Sequence, residues 1–338
     1  EEDLIFALKD KDKSIRILAI KAVGRVGSEE AIPDLLSILG TLDADIETAA
    51  IHSLVQIGEK AVKAVAGEVE AGRLEPGVGK KVFSLFDQQQ VEEALSQFVS
   101  DDGGFGYYEG MFENLKILGV GKAVPVLHRI IEDSSYQSRL DSFKGNRDQF
   151  NRALRELSIM AVGDLGGKES IPRLKKALKR TTSFGFDDEH SHLIVALYKL
   201  GDRASFQKYI SRREKEASKD FSTNLKEDGY EKLFSIGLVQ NRVGQRKAAL
   251  EVYEKLVDRI EKSGGGRNLD VYPDTLYNLA CLQALSGEKS RALQTLRKAV
   301  EAGFIDKGWI EQDGDLQSLR EEEAYRALMA EKALFEQK

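Results

Sequence analysis

The 338-residue chain holds one cysteine, one tryptophan and five prolines. A single cysteine excludes an intramolecular disulfide framework and a cysteine-built zinc site. Scarce proline, with few β-branched runs, favours helix over sheet. No uninterrupted apolar run approaches ~18 residues, so no membrane span is expected. Nor is there an excess of positive charge. Fifty Lys and Arg against 56 Asp and Glu leave a formal charge of -6, which gives no reason to expect nucleic-acid binding. An apolar fraction of 41% and a charged fraction of 31% describe a soluble, folded chain, long enough for two domains or one extended array. The first residue is Glu1 rather than Met, so trimming or removal of a signal peptide is expected, leaving the compartment open between cytoplasm and export.

What is present is helical periodicity and self-similarity. AIKAVGRVGSEEAIPDLLSIL (19–39) matches SIMAVGDLGGKESIPRLKKAL (158–178), and NLKILGVGKAVPVLHRII (114–131) is a third copy. IHSLVQIGEKAVKAVAGEV (51–69) and LIVALYKLGDRASFQKYI (193–210) are weaker ones, and VFSLFDQQQVEEALSQFV (82–99) fills the gap as a degenerate unit. The markers are Gly27, Gly58, Gly119, Gly166 and Gly201, each expected to end a helix in the left-handed conformation. Pro33, Pro125 and Pro172 follow six residues on and are expected in the first turn of the next helix, where a missing N–H costs nothing. Leu35, Leu127 and Leu174 are then core positions. The result is about six helix pairs at a period of about 30–47 residues, a unit that buries its apolar face only by stacking on neighbours.

This pattern resembles HEAT repeats, in particular the short bacterial HEAT-like repeats also found in phycobilin lyases, over roughly residues 12–217. The resemblance implies antiparallel helix pairs in a right-handed α-α superhelix of the armadillo-like kind, most often used to hold other proteins.

From about Gly229 the code changes. Leu233, Ile236, Gly237 and Gln240 are followed by Ala249 and Tyr253; Leu276, Leu279, Ala280 and Gln283 are followed by Ala292 and Leu296. This spacing resembles the tetratricopeptide repeat. Gln240 and Gln283 replace its tyrosine, and neither unit has the terminal proline. Gly244 and Gly287 mark the turns, 43 residues apart against the usual ~34, with SGGGRNLD (263–270) accounting for the surplus. Residues 303–329 resemble the closing segment of bacterial arrays of this type, with Leu316, Leu319, Tyr325 and Leu328 capping the last face. SRREKEASKDFSTNLKEDG (211–229) is either a linker or an extended helix.

Chemistry has few places to reside. His52 and His128 fall within repeat helices. DDEHSH (187–192) gathers acids with His190 and His192, but histidines at i and i+2 of a helix point apart; helix capping by Asp187 or Asp188 is the simpler expectation. HEAT-like di-iron hydroxylases carry His-Glu pairs, and no such dipeptide occurs here. HEAT-like DNA glycosylases need a basic groove that the acidic balance does not favour. DDGGFGYYEG (101–110) lacks the lysine of a phosphate loop. No catalytic residue, cofactor or metal site is expected.

The surface offers two features. Long connections between pairs carry Phe105, Tyr107, Tyr108, Tyr136, Phe143, Phe184 and Phe186, which either anchor a partner along one edge or fold back over gaps between repeats. Charge is also uneven: 87–133 has nine acidic and three basic side chains, whereas 139–180 has eleven basic and five acidic, a contrast that either steers a partner or marks solvated faces. On the tetratricopeptide-like helices the expected groove residues are Phe234, Asn241, Arg242, Tyr277 and Asn278, with Cys281 beside them as a labelling position rather than a nucleophile. The sequence therefore reads as all-α, with HEAT-like repeats over 1–217 and tetratricopeptide repeats plus cap over 218–338. Its expected function is a non-catalytic scaffold or adaptor for a protein or peptide partner. The alternative is a HEAT-repeat enzyme or accessory factor of the chromophore-lyase kind.

Overall fold

The computed structural model describes residues 2–41, 43–99, 109–133, 135–138, 140, 145–181, 189–223, 226–264, 269–304 and 306–335. Among these residues the secondary structure is helical, with no β-strand beyond an isolated bridge at Val99. By internal contacts the chain divides into two compact units, 1–161 and 162–338.

In the first unit the helices are α1 (Glu2–Ala7), α2 (Lys13–Val26), α3 (Ile32–Ile38), α4 (Ala44–Ile57), α5 (Glu59–Glu70), α6 (Pro76–Ser96), α7 (Glu109–Leu118) and α8 (Val120–Glu132); the division falls within α9 (Arg147–Leu165). Local sequence sets the starts. The Asp12 carboxylate accepts from the Ser14 and Ile15 amides at 2.7 and 3.4 Å, and Asp43 does the same for α4, satisfying donors that the first helical turn cannot. Helix α4 packs on α2, α3, α5 and α6. The core between them is aliphatic, with Ile20, Val23, Leu35, Ala50, Leu54, Val65 and Val82 essentially inaccessible.

Helix α2 and helix α4 meet at a glycine. A Cβ on Gly24 would lie 2.8 Å from the Ser53 Cα and 2.7 Å from the Gln56 Oε1. The Ser53 hydroxyl crosses the same interface to the Ile20 carbonyl, at 2.7 Å. The AVG tripeptide recurs at 161–163, and Gly163 faces Ala196 in the same way, with a Cβ 2.9 Å from the Ala196 Cα. One position later, Asp164 is ion-paired to Lys199 at 2.7 Å, where the first copy has Arg25 and Gln56. The repeat seen in the sequence is thus a repeat of contacts.

The second unit continues with α10 (Ile171–Leu178), α11 (Glu189–Lys199), α12 (Arg203–Phe221), α13 (Lys226–Arg242), α14 (Arg246–Ser263), α15 (Val271–Leu285), α16 (Lys289–Glu301), α17 (Lys307–Gln312), α18 (Glu323–Ala330) and α19 (Lys332–Phe335). Helices pack chiefly on their chain neighbours, α11 on α12, α12 on α13, α13 on α14 and α15 on α16. Here the tight crossing is Gly237 beneath Tyr253, whose ring would sit 2.6 Å from an added Cβ. Ala249, Ala280 and Ala292 are fully buried. Leu316, Leu319, Tyr325 and Leu328 are buried against the end of this core, as expected of a closing segment. The charged stretch from 211 resolves into the end of α12 rather than a linker, as far as Phe221.

Three expectations about the repeats need correction. Gly27, Gly58, Gly119 and Gly201 have positive φ, but Gly166 does not; it is required instead by crowding, since a Cβ there would lie 2.5 Å from the Val162 carbonyl. Pro33 and Pro172 sit in first turns, yet Pro125 lies inside α8. The cause is local. A 3-10 turn (Glu29–Ala31 or Lys168–Ser170) precedes the second helix in the first and fourth copies. After Gly119 the helix starts at once, its carbonyl accepting from Lys122 and Ala123 at 3.0 Å. Segment 82–99 is no helix pair: most of it belongs to the single helix α6, because nothing between Gly79 and Ser96 breaks a helix. Leu35, Leu127 and Leu174 are core, as expected.

Candidate functional site

Among the described residues, each unit has a concave feature with chemical character. In the first, the row α2, α4, α6 encloses a cleft of about 290 Å³ lined by Gly24, Arg25, His52, Val55, Gln56, Leu85, Gln88, Gln89, Glu92, Glu93 and Leu140. Glu92 is only 2% exposed. Its Oε1 accepts a short hydrogen bond from the Tyr136 hydroxyl and another from Gln88 Nε2 at 2.8 Å. Its Oε2 accepts from Ser138 Oγ at 2.6 Å. The supports of these donors are themselves held: Ser138 Oγ accepts from the Leu140 amide at 3.2 Å, and the Ser138 amide donates to Asn151 Oδ1 at 2.8 Å. Burial, and then the Glu92 charge, raise the Tyr136 phenol well above its ordinary pKa, so it remains a donor. Tyr136, a candidate partner anchor whose alternative was to fold back over a gap between repeats, is a buried member of this network rather than an exposed anchor.

In the second unit a groove of about 700 Å³ runs between α12 and α14, over α13. Ala217, Phe221, Leu233, Ile236 and Val252 form an apolar floor. Glu214 and Ser218 stand on the α12 side, and Lys255, Asp258, Arg259 and Lys262 on the α14 side. Lys255, Arg259 and Lys262 recur at i, i+4 and i+7, so they share one face of α14. The Arg259 guanidinium lies 4.2 Å above the Phe221 ring, which holds the cation over the floor without neutralising it.

None of the described candidates expected from sequence is among the residues lining this groove. Phe234 is 3% exposed and packs on Tyr253, their ring centroids 5.6 Å apart. Tyr277 is buried too, stacked on Phe304 at 4.0 Å, with its hydroxyl donating to Asp313 Oδ2 at 2.5 Å. The repeat spacing puts both on an open inner face, but the next helices and the segment around Asp313 cover that face. Asn278 turns back to the Asp274 carbonyl at 2.8 Å. Asn241 is half-buried, and Arg242 approaches His192 Nε2 at 3.3 Å. Cys281 is 4% exposed and 3.6 Å from Asp313 Oδ2, so it is not the accessible labelling position expected. Tyr107, Tyr108, Phe143, Phe184 and Phe186, with Phe105, Asp187 and Asp188, lie outside the described residues. The sequence carries one signal for this groove, the basic stripe of α14. Phe221 had no comparable signal, lying in a charged stretch that the sequence leaves open between a linker and an extended helix.

His190 and His192 are buried in α11. His190 lies 3.0 Å from Thr181 Oγ1 and 3.2 Å from an Arg212 nitrogen. A guanidinium only donates, so the ring nitrogens facing Arg212 and Arg242 act as acceptors. Among the described residues no three His, Cys, Asp or Glu side chains converge as a metal site, and none of the helices is long and apolar enough to cross a membrane.

An all-helical array built from repeated pairs defines the class, and comparison with known families agrees for its beginning: residues 1–68 match the family of HEAT repeats. A search of curated proteins found no match. Among solved structures, the complex of CpcE and CpcF of phycocyanin lyase from Nostoc sp. PCC7120 aligns over 83% of this chain and 94% of that one, at 17% identity and a TM-score of 0.25. A likeness of that size carries no functional argument.

Proposed function

We propose that this protein is a non-catalytic scaffold or adaptor, with a HEAT-like array over 1–217 and a tetratricopeptide array over 218–338. The equivalent small residues at Gly237 and Ala280, and at Ala249 and Ala292, support the second part of this division. So does the positive φ of +80° at both Gly244 and Gly287.

The observation that carries the binding role is the groove between α12 and α14. Its volume falls within the ~300–1,000 Å³ range of small binding sites. An apolar floor beside Lys255 and Arg259, with Lys262 ion-paired to Asp258 at 2.8 Å on the same rim, fits an amphipathic peptide whose apolar side chains enter and whose carboxylates meet Lys255 and Arg259. The floor contributes affinity; the cations choose the partner's charge and orientation.

Selection from a random displayed-peptide library on the full chain tests this. Enriched peptides are expected to alternate acidic with large apolar residues. The double variant Lys255→Glu, Arg259→Glu is expected to weaken them about tenfold or more, as like charges now face each other, with unchanged helical circular dichroism. Peptides that bind this variant as well as the wild type would remove the groove as the binding site.

A further inference from the structure

We propose that the cleft of the first unit is a binding site for a single organic cation, an alkylammonium or guanidinium group seated against Glu92. A carboxylate as buried as this one is ordinarily paired with a cation or a metal. Glu92 has three neutral donors, Tyr136, Gln88 and Ser138, and no ion pair among the described residues. These donors orient the carboxylate without neutralising its charge. They also leave it incomplete: a carboxylate offers about four acceptor positions, and among the described residues Oε2 receives only Ser138.

The rest of the cleft suits the same occupant. Gln56, Gln88 and Gln89 supply amide oxygens for the remaining N–H groups of a cation, and Glu93 adds a second negative charge at the exposed edge. Val55, Leu85 and Leu140 provide an apolar wall for an alkyl stem. A volume of about 290 Å³ holds one side-chain-sized group, at the lower end of known ligand pockets. Two carboxylates exclude an anion. A hard metal ion needs six or more oxygen ligands, whereas the cleft offers two carboxylates that do not converge with a third acid or histidine among the described residues. Among the described lining residues the one Lys or Arg is Arg25, exposed at the rim, while Arg129 lies near enough to act on the Tyr136 phenol.

The cation has two sources, a free amine or the lysine or arginine of a bound partner, and both are tested by titration calorimetry on the full chain. Probes are n-butylammonium against n-butanol, and a capped peptide with one lysine against the same peptide with norleucine. The cationic member of each pair is expected to bind about tenfold tighter or more. Glu92→Gln, which keeps shape but removes charge, should abolish that preference; Arg25→Met, which removes the competing cation, should strengthen it about threefold. A lysine peptide that binds tenfold tighter than butylammonium assigns the site to a partner's side chain, and equal affinities assign it to a free amine. The proposal is overturned if the wild type shows no preference for either cation, or if folded Glu92→Gln retains it. Should Glu92→Gln fail to fold, an Arg25→Met variant with no gain in cation affinity overturns it equally.

Discussion

Gly24→Val is expected to lower the stability of the first unit by about 2–4 kcal/mol, the upper range for overpacking a close-packed contact. The smallest possible addition, one Cβ, already falls 2.8 Å from both the Cα and the Cβ of Ser53. The first of these is backbone and cannot rotate away. Relief requires α2 and α4 to separate, which opens the aliphatic core around Ile20 and Leu54 and stretches the hydrogen bond from Ser53 to Ile20. Against this stands a gain in helix propensity of only a few tenths of a kcal/mol on leaving glycine. The clash wins. Gly27→Val is the control: its Cβ meets nothing within 4 Å, so only left-handed backbone strain of about 1–2 kcal/mol is incurred. Urea unfolding followed by circular dichroism distinguishes the two, and a Gly24→Val midpoint no lower than that of Gly27→Val would refute the close-contact account.

Cys281 is expected to react with a thiol reagent such as DTNB at least ~100-fold more slowly in the native protein than in guanidinium, because reaction waits on local opening. Burial, followed by the charges of Asp313 and Asp315, raises its pKa well above the ordinary thiol value. The sign of the linked stability follows. A group whose pKa is raised on folding stabilises fully below its unfolded pKa, about 8.5 for cysteine, and this contribution is lost as pH rises towards the folded value. The second unit should therefore lose stability as pH passes from about 8.5 to 10, with Cys281→Ser flattening that slope. Above this window Tyr272, whose pKa is pushed up to about 12 by burial and Glu261, and Tyr277, raised by burial and its neighbours Cys281 and Asp313, act in the same direction. Asp274 and Asp315 are raised as well, but their transitions begin near the carboxylate range and leave this window untouched. Native Cys281 reacting as fast as unfolded chain would show that the segment at 313–319 does not cover it.

Surface ion pairs trace the repeat as clearly as the core does. Lys13 to Asp45, Lys81 to Glu47, Lys199 to Asp164, Arg291 to Glu254 and Lys289 to Glu322 each join residues about one repeat apart. Most of these side chains are substantially exposed, so the pairs set register between neighbours more than they stabilise.

The sequence alone determined the repeated features. Glycine with an apolar period, proline at Pro33 and Pro172, and small residues at Gly237, Ala249, Ala280 and Ala292 are local constraints on turning and close approach. They act within one or two helices and are written where they act. It also contained the correct burial of Leu35, Leu127, Leu174 and the closing segment's leucines, since a helix with one apolar stripe has one inward face. It did not contain which aromatics face outward: Tyr136, Phe234 and Tyr277 have the same helical or loop context whether or not another segment covers them. Only the tertiary structure decided that Tyr136 and Ser138 return to Glu92 across more than forty residues, that the segment around Asp313 closes over Tyr277 and Cys281, and that Phe221 meets Arg259 above a groove floor. These depend on long-range placement, and the physical reason is plain. Local spacing specifies a helix and its faces, whereas a cleft is the space left between helices that pack elsewhere.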